Sequence, residues 1–326
     1  MASILDNVVQ LGLESSWGTA VAPTRAFEAK ADTFQREIEY IESVGFRKDM
    51  QTIRSDRHDT VSLGASGSIE VDILNKGMGL ILQHALGGST APAQQGGTAA
   101  YKSIFETNDT GPTGSYTVQV GKTDTAGSTQ SFTYEGSVVT GWSVAADLGA
   151  PVRMTFNYDS ENEQNSTALA TPSYPASADP FVYTDCKILV DSSEVGTYTS
   201  FTLDADLGMK TDRRFLKGSA AKGQPQRSSV PSYTGNISGE FASMGDYEKF
   251  RDGTLFQLEF KAVMGTAIAG SYYPTFHITM PKVKFTGSTP VASISELSTI
   301  DLPFLVLDDG SNAAVKIEYT STDTSF

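Results

Sequence analysis

FQREIEYI (34–41) and FTLDADLG (201–208) are alternating runs that open two similar successions of segments, and this recurrence decides the fold. Each run leads into a long polar loop rich in Lys and Arg, then into a Gly-led strand, GSIEVDI (67–73) and GNISGEF (235–241). A short helical segment follows, NKGMGLILQHALGG (75–88) and MGDYEKFRDG (244–253). The later parts echo too: YEGSVVTGWSVAADL (134–148) against VKFTGSTPVASISEL (283–297), then MTFNYDSEN (154–162) against LPFLVLDDGSN (302–312). Matching order, loop position and spacing are the mark of a duplicated unit. The expected organisation is an extended N-terminal arm (1–33), a first β domain (34–169), a linker with a connecting strand (170–200) and a second β domain (201–326).

Period-two alternation places further strands in VVQLGLE (8–14), SYTVQVG (115–121), KILVD (187–191), TLFQLEF (254–260), TFHITM (275–280) and AVKIEYT (314–320). GGSTAPAQQGGTAA (87–100) and ATPSYPASADP (170–180) read as loops. One helix is expected per half. Over 75–86, Met78, Ile81, Leu82, Ala85 and Leu86 share a face and Gly87 supplies the stop. Over 246–252, Asp246 is the expected cap, Tyr247 and Phe250 share a face, and Gly253 ends the helix. The fold class is therefore mainly β, two tandem β-sandwich or partial-barrel domains, each with one short α-helix.

The chain has 326 residues, enough for one large domain or two ordinary ones, with 39% hydrophobic and 19% charged residues. That balance is globular, not disordered. The formal net charge of −14 repels phosphate and argues against tight nucleic-acid binding, although it also serves plain solubility. The single Cys186 excludes an internal disulfide and fits a small buried thiol in a strand. No basic start followed by an apolar run suggests a signal peptide, and no stretch reaches the length of a membrane span.

A search for chemistry yields no catalytic, cofactor-binding or metal-ligating residues. VGKT (120–123) is the nearest approach to a phosphate loop, but the position five before Gly121 is Tyr116, and a strand pattern surrounds it. His58, His84 and His277 are scattered, with no second His or Cys at ligand spacing, and His84 reads as a surface or helix-edge residue. Asp204 and Asp206 lack the loop of a calcium site and read as the outer face of a strand. GASGS (64–68) lacks the spacing of a nucleophile elbow. Glu37 and Glu39 share a strand face, where solvation accounts for them.

The basic loops stand out. Arg47, Lys48, Arg54 and Arg57 follow the first strand of one half; Lys210, Arg213, Arg214, Lys217, Lys222 and Arg227 occupy the matching place in the other. They read either as solvated loops or as a docking surface for acidic stretches of the same kind of chain, such as DSENE (159–163). Self-complementary charge of that sort favours head-to-tail stacking.

The tract LGLESSWGTAVAPTRAFEA (11–29) resembles the opening of siphophage tail tube proteins, in which Gly and Glu precede a Trp-Gly-Thr-Ala tract and a Pro-Thr. IEYIESVGFR (38–47), GSIEVDILNKGMGLILQHALGG (67–88) and SGEF (238–241) resemble that family in kind and order. The resemblance implies a structural virion protein, assembled in the host cytoplasm into stacked rings of the phage tail, with no family catalytic residues to carry over. It implies that each tube domain gives a four-stranded inner sheet to one closed barrel, a fold shared with the type VI secretion tube. Six such domains, with strands about 4.8 Å apart and tilted about 40°, make a barrel about 48 Å across, wide enough for duplex DNA to pass without specific binding. Family loops that reach a neighbouring ring would fall at 45–64 and 208–230, assigning inter-ring stacking to Arg47, Lys48, Arg54, Arg57, Lys210, Arg213, Arg214 and Lys217. Implied partners are the chain itself and the tape-measure, tail terminator and distal tail proteins, with no membrane and no cofactor. If both halves are tube domains, three chains complete a pseudo-sixfold ring; in a true hexamer one half would be an outer decoration. The second half lacks an insertion like 87–114, so the halves are not interchangeable.

Two other readings remain open at the level of sequence. One is a different virion β-protein, a head decoration or tail terminator subunit, which would not polymerise. The other is a carbohydrate-binding or adhesin-like module in which Trp17, Trp142 and the Tyr residues form a stacking platform.

Overall fold

Strands form along nearly the whole chain because apolar and polar residues alternate. The computed structural model describes residues 6–46, 48–49, 51–112, 114–287, 289–290 and 297–326. The first half contains β1 (Val8–Leu13), β2 (Arg25–Phe27), β3 (Ala29–Asp32), β4 (Gln35–Glu42), β5 (His58–Asp72) and helix α1 (Gly79–Leu86). It continues with β6 (Gly87–Gln94), β7 (Tyr101–Thr107), β8 (Tyr116–Thr123), β9 (Thr129–Asp147), β10 (Arg153–Ser160) and β11 (Asn162–Gln164). The second half opens with β12 (Cys186–Val190), β13 (Ser193–Glu194), β14 (Tyr198–Asp206), β15 (Met209–Lys210), β16 (Gln226–Arg227) and β17 (Ser232–Glu240). Helix α2 (Gly245–Asp252), β18 (Phe256–Val263), β19 (Thr275–Phe285), β20 (Thr299–Val306) and β21 (Lys316–Ser321) complete it. The fold is mainly β with two short helices, as the alternation predicts.

One layer is an unbroken antiparallel ladder, β4–β5–β10–β9–β14–β17–β20, with the end of β19 paired beyond β20. The second layer runs β2–β1–β8–β9–β11 in the first half. In the second half it runs β13–β12–β18–β19–β21–β7–β6. β9, 19 residues long, serves both layers: its start pairs with β8 and β11, its end with β10 and β14. Inward side chains of both layers, among them Leu11, Val118, Ile69, Phe156, Trp142, Leu203, Phe260 and Ile278, form one core. Alternate positions on strands such as β14, β19, β20 and β21 face this core, as in a β-sandwich. β1 belongs fully to it, with Val8–Leu13 paired along β8, so the tract expected as an extended arm carries a core strand.

The halves join in both layers: β21 pairs with β7 in the second, and in the ladder the seam is the β9–β14 pairing, from Asp147 opposite Ser200 to Gly141 opposite Asp206. A Cβ on Gly141 would stand 2.7 Å from the Ala205 carbonyl oxygen, too close for either backbone to remain in place. Gly141→Val is therefore expected to cost about 1–3 kcal/mol by overpacking. A thermal melt checks this; an unchanged midpoint would show that the seam yields freely.

Three local expectations need correction. GGSTAPAQQGGTAA is not a loop throughout, because β6 pairs with β7 across a register shift between Thr90 and Ala93 that accommodates Pro92. As an outermost strand, β6 tolerates the missing N–H of a proline. Asp246 does not cap α2: the helix starts one residue earlier, and Asp246 instead accepts a hydrogen bond from the Tyr198 hydroxyl at 2.9 Å. His84 is not at a surface. α1 is buried on nearly all sides, with β6, β7 and β9 against it and the His84 side turned to Tyr116 and Tyr158. The His84 ring lies 3.7 Å from the Tyr116 ring, and neither ring nitrogen has a hydrogen-bond partner. Burial pulls its pKa down to about 3.

Candidate functional site: an open sheet face, its edge and its loops

The face of the ladder turned away from the core is a field of small polar and acidic side chains. Strand register builds it in rows. One row runs Glu70, Thr155, Ser143, Asp204, Thr234 and Leu305 across six strands. The next runs Asp72, Arg153, Ala145, Thr202, Asn236 and Pro303. Neither row contains an aromatic residue. Among the cations of this face, Arg153 is held by Asp147 at 3.1 Å and Lys30 by Asp72 at 2.6 Å, while Lys284 of β19, opposite Leu305, is exposed. Asp204 lies on this face in mid-sheet, and partial burial raises its pKa. The two rows offer a polyanion no stacking platform, and Lys284 at the far end adds one exposed cation to a field of neutral and acidic groups.

At one end of the ladder lies β4, exposed along its whole length and paired on one side with β5. Ile38, Tyr40 and Ile41 are exposed on it. An uncovered strand edge that carries apolar side chains is a template for pairing with another chain.

The basic loops are placed unequally. Arg47 lies outside the described residues. Lys48 is exposed in the β4–β5 loop, Arg57 is exposed at its base, where its carbonyl accepts from the Ser43 N–H at 2.9 Å, and Arg54 is bound to Asp56 at 2.6 Å. In the second half, Lys210 sits 3.6 Å from Asp212, and Lys217 is exposed. Arg213 donates to the Gln224 carbonyl at 2.5 Å and lies over the Phe215 ring. Arg214 donates to the carbonyls of Leu63 and Ala220, both at 3.3 Å. Leu63 returns a backbone bond to Ala220 at 2.9 Å, so this loop is fastened to β5 of the first half. Lys222 goes further. It is 2% exposed and forms an ion pair with Asp159 of β10, itself only 5% exposed, with Glu37 at 3.8 Å. Burial pushes the Asp159 carboxyl up to about 6, with the Lys222 ammonium pulling the other way. Contact between the basic loop and the DSENE segment thus occurs inside one chain.

The LGLESSWGTA tract is built around Glu14. Its buried carboxylate accepts bonds from Ser115 Oγ (2.6 Å), Thr117 Oγ1 (2.9 Å) and the backbone N–H groups of Gly136 (2.9 Å) and Gly18 (3.1 Å). Trp17 Nε1 donates to the Gly136 carbonyl at 3.2 Å. Gly18 has φ of +72°, and a Cβ there would strike the Glu161 carboxylate. The tract is therefore a buried clasp between the N-terminal segment and β9. Trp17 is spent on that clasp, and Trp142 is buried in the core, so neither offers a stacking platform.

VGKT lies within β8, where Lys122 pairs with Asp32 at 2.9 Å. His277 Nε2 lies 2.7 Å from Glu259 and 3.5 Å from Thr279 Oγ1, but both contacts use the same ring nitrogen, so the imidazole cannot relay a proton between them. Among the described residues no three His, Cys, Asp or Glu stand together as a metal site, and no helix is long and apolar enough to cross a membrane.

Comparison of the sequence with curated proteins finds no match. A protein-family model described as phage tail tube protein matches residues 5–306. The chain belongs to the phage tail tube protein family. This tube protein is accordingly a structural component of the phage tail, from a family that is not one of enzymes and whose members associate with themselves into a tube. The match covers both halves of the tube protein, and so embraces the Glu14 clasp, the ladder and both basic loops.

Proposed function

We propose that the tube protein forms rings of three chains that stack into the tail tube of a long, non-contractile phage tail, the conduit through which DNA is ejected. The observation that carries this reading is the β9–β14 seam. It sets two four-strand groups, β4–β5–β10–β9 and β14–β17–β20–β19, edge to edge in one ladder. The two groups follow the same order of succession, with β5 and β17 each leading to a helix and then to a hairpin. Each group is a tube domain in this reading, and three copies supply six groups. Closure then joins β4 of one chain to the far end of the ladder in the next, leaving no open edge. The acidic, non-aromatic face lines the lumen, where like charge keeps DNA mobile. Assembly takes place in the host cytoplasm, with tape-measure, terminator and distal tail proteins as the other components.

Negative-stain electron microscopy of the purified protein tests this. End-on averages are expected to show a central hole and three-fold modulation. Six equivalent subunits around the hole would overturn the three-chain ring, and isolated monomers at every concentration would overturn self-assembly without an initiator.

A further inference from the structure

The loop at 207–231 and the loop at 43–57 occupy equivalent places between paired strands, yet only the first is housed. Lys222 and Ala220 rest on β5 and β10 of the first half. Strand register locates the equivalent berth in the second half. Phe156 pairs with Ile69, and Leu302 pairs with Ile237, so Asp159 corresponds to Leu305 and positions 63–65 correspond to 231–233. At that place there is an open cleft of about 860 Å³ with mixed walls, apolar at Val230, Tyr233 and Leu305 and polar at Asn108, Asp308 and Asn312. Arg227 holds its wall in shape by donating to the carbonyls of Asn108 (2.8 Å) and Asp109 (2.9 Å).

We infer that this cleft receives the apolar tip of the β4–β5 loop, carried by Val44, Phe46 and Ile53, from a second copy of this chain. The inference rests on the self-association reading above and adds where the copies touch. Three observations support it. First, the occupied berth in the first half is an internal template. β14 pairs with β9, and the loop that follows β14 then lies over the domain to which β9 belongs. β4, the free edge, leads into the loop at 43–57, while the cleft sits beside β17 and β20 at the opposite end of the ladder. Pairing β4 with that end carries its loop to the cleft. Second, the chemistry changes on both sides together. Lys222 enters a berth that contains Asp159, whereas the apolar tip would enter one that has Leu305 in the same place. Third, Phe46 is fully exposed, Val44 69% and Ile53 39%, an apolar group that lies open to solvent within one loop. The contact is lateral, between neighbours in one ring, because its template joins side-by-side halves of one ladder.

Two variants test it. Phe46→Asp is expected to leave the melting temperature of the subunit unchanged and to raise the concentration needed for assembly about tenfold or more. Phe46→Cys with Val230→Cys, in a Cys186→Ser background, is expected to give interchain disulfides on oxidation. These end at a closed oligomer of ring size, and neither single cysteine gives them. Assembly of Phe46→Asp at the parent concentration, together with no disulfide in assembled particles, would overturn the docking while leaving self-association intact. A parent protein that stays monomeric at every concentration would overturn both.

Discussion

Lys222→Ala is expected to destabilise the tube protein by about 1–2 kcal/mol at neutral pH, the cost of depriving a buried carboxylate of its cation. Lys222 and Asp159 are 2% and 5% exposed, so water cannot replace the lost partner. The cost has a ceiling, because Asp159 escapes by taking up a proton. With the folded carboxyl at about 6, taking up a proton costs roughly 1.4 kcal/mol at pH 7, and at pH 5 the group is already mostly protonated. The variant should therefore lose much less at pH 5 than at pH 7. Denaturant titrations at both pH values check this. Lys222→Met combined with Asp159→Leu should recover most of the loss, since an apolar pair needs no counter-charge. A single variant that loses under about 1 kcal/mol at pH 7 would show that the loop is held by its backbone bonds alone.

The second large effect concerns acid. His84 titrates near 3 in the fold and near 6.5 when unfolded, so in the window between them the unfolded chain binds the extra proton. Its contribution is fully present above pH 6.5 and is lost as the pH falls, about 2 kcal/mol by pH 5 and nearly 5 kcal/mol by pH 3. Asp159 acts in the opposite sense: its folded pKa of about 6 lies above the unfolded one, so protonation stabilises the fold as the pH falls. A bare acid titration mixes the two. The difference between the parent protein and His84→Phe isolates His84, because phenylalanine keeps the ring against Tyr116 and cannot titrate. Stability curves measured from pH 7 to pH 4 should diverge in favour of the variant. Parallel curves would mean that His84 is hydrated in the fold.

Much of the architecture was legible in the residues, and what was not has identifiable causes. Alternation found β12, β18, β19 and β21 because each has one face in the core and one outside it, the condition under which period two survives. β1 and β8 are buried on both faces, and their polar positions Gln10, Thr117 and Gln119 keep the pattern by hydrogen bonding inside. β6 was hidden because its residues are poor strand formers, and only β7 makes them a strand. The nature of His84 was hidden too. A helix with a polar side predicts an exposed side, and nothing local announces that Tyr116 and Tyr158, 32 and 74 residues on, will pack against it. The basic loops were found as a class, but their fates were not. Lys222 and Arg214 have partners 63 and 151 residues away, a relation no spacing rule contains. The Glu14 clasp was visible only as part of a family-like tract, since its donors come from Ser115, Thr117 and Gly136, more than a hundred residues distant.

The β9–β14 seam also has a kinetic meaning. Its two strands belong to one polypeptide, so their pairing does not depend on protein concentration, whereas the pairing of β4 does. In the ring we propose, alternate joints are thus made during folding, and assembly brings together three bodies instead of six. Each remaining joint is met at a lower entropic cost than in a ring of single domains, and it can weaken or strengthen by mutation without any change in its covalent counterpart. Duplication of this kind separates the rate at which a tube grows from the strength of half the contacts that hold it closed.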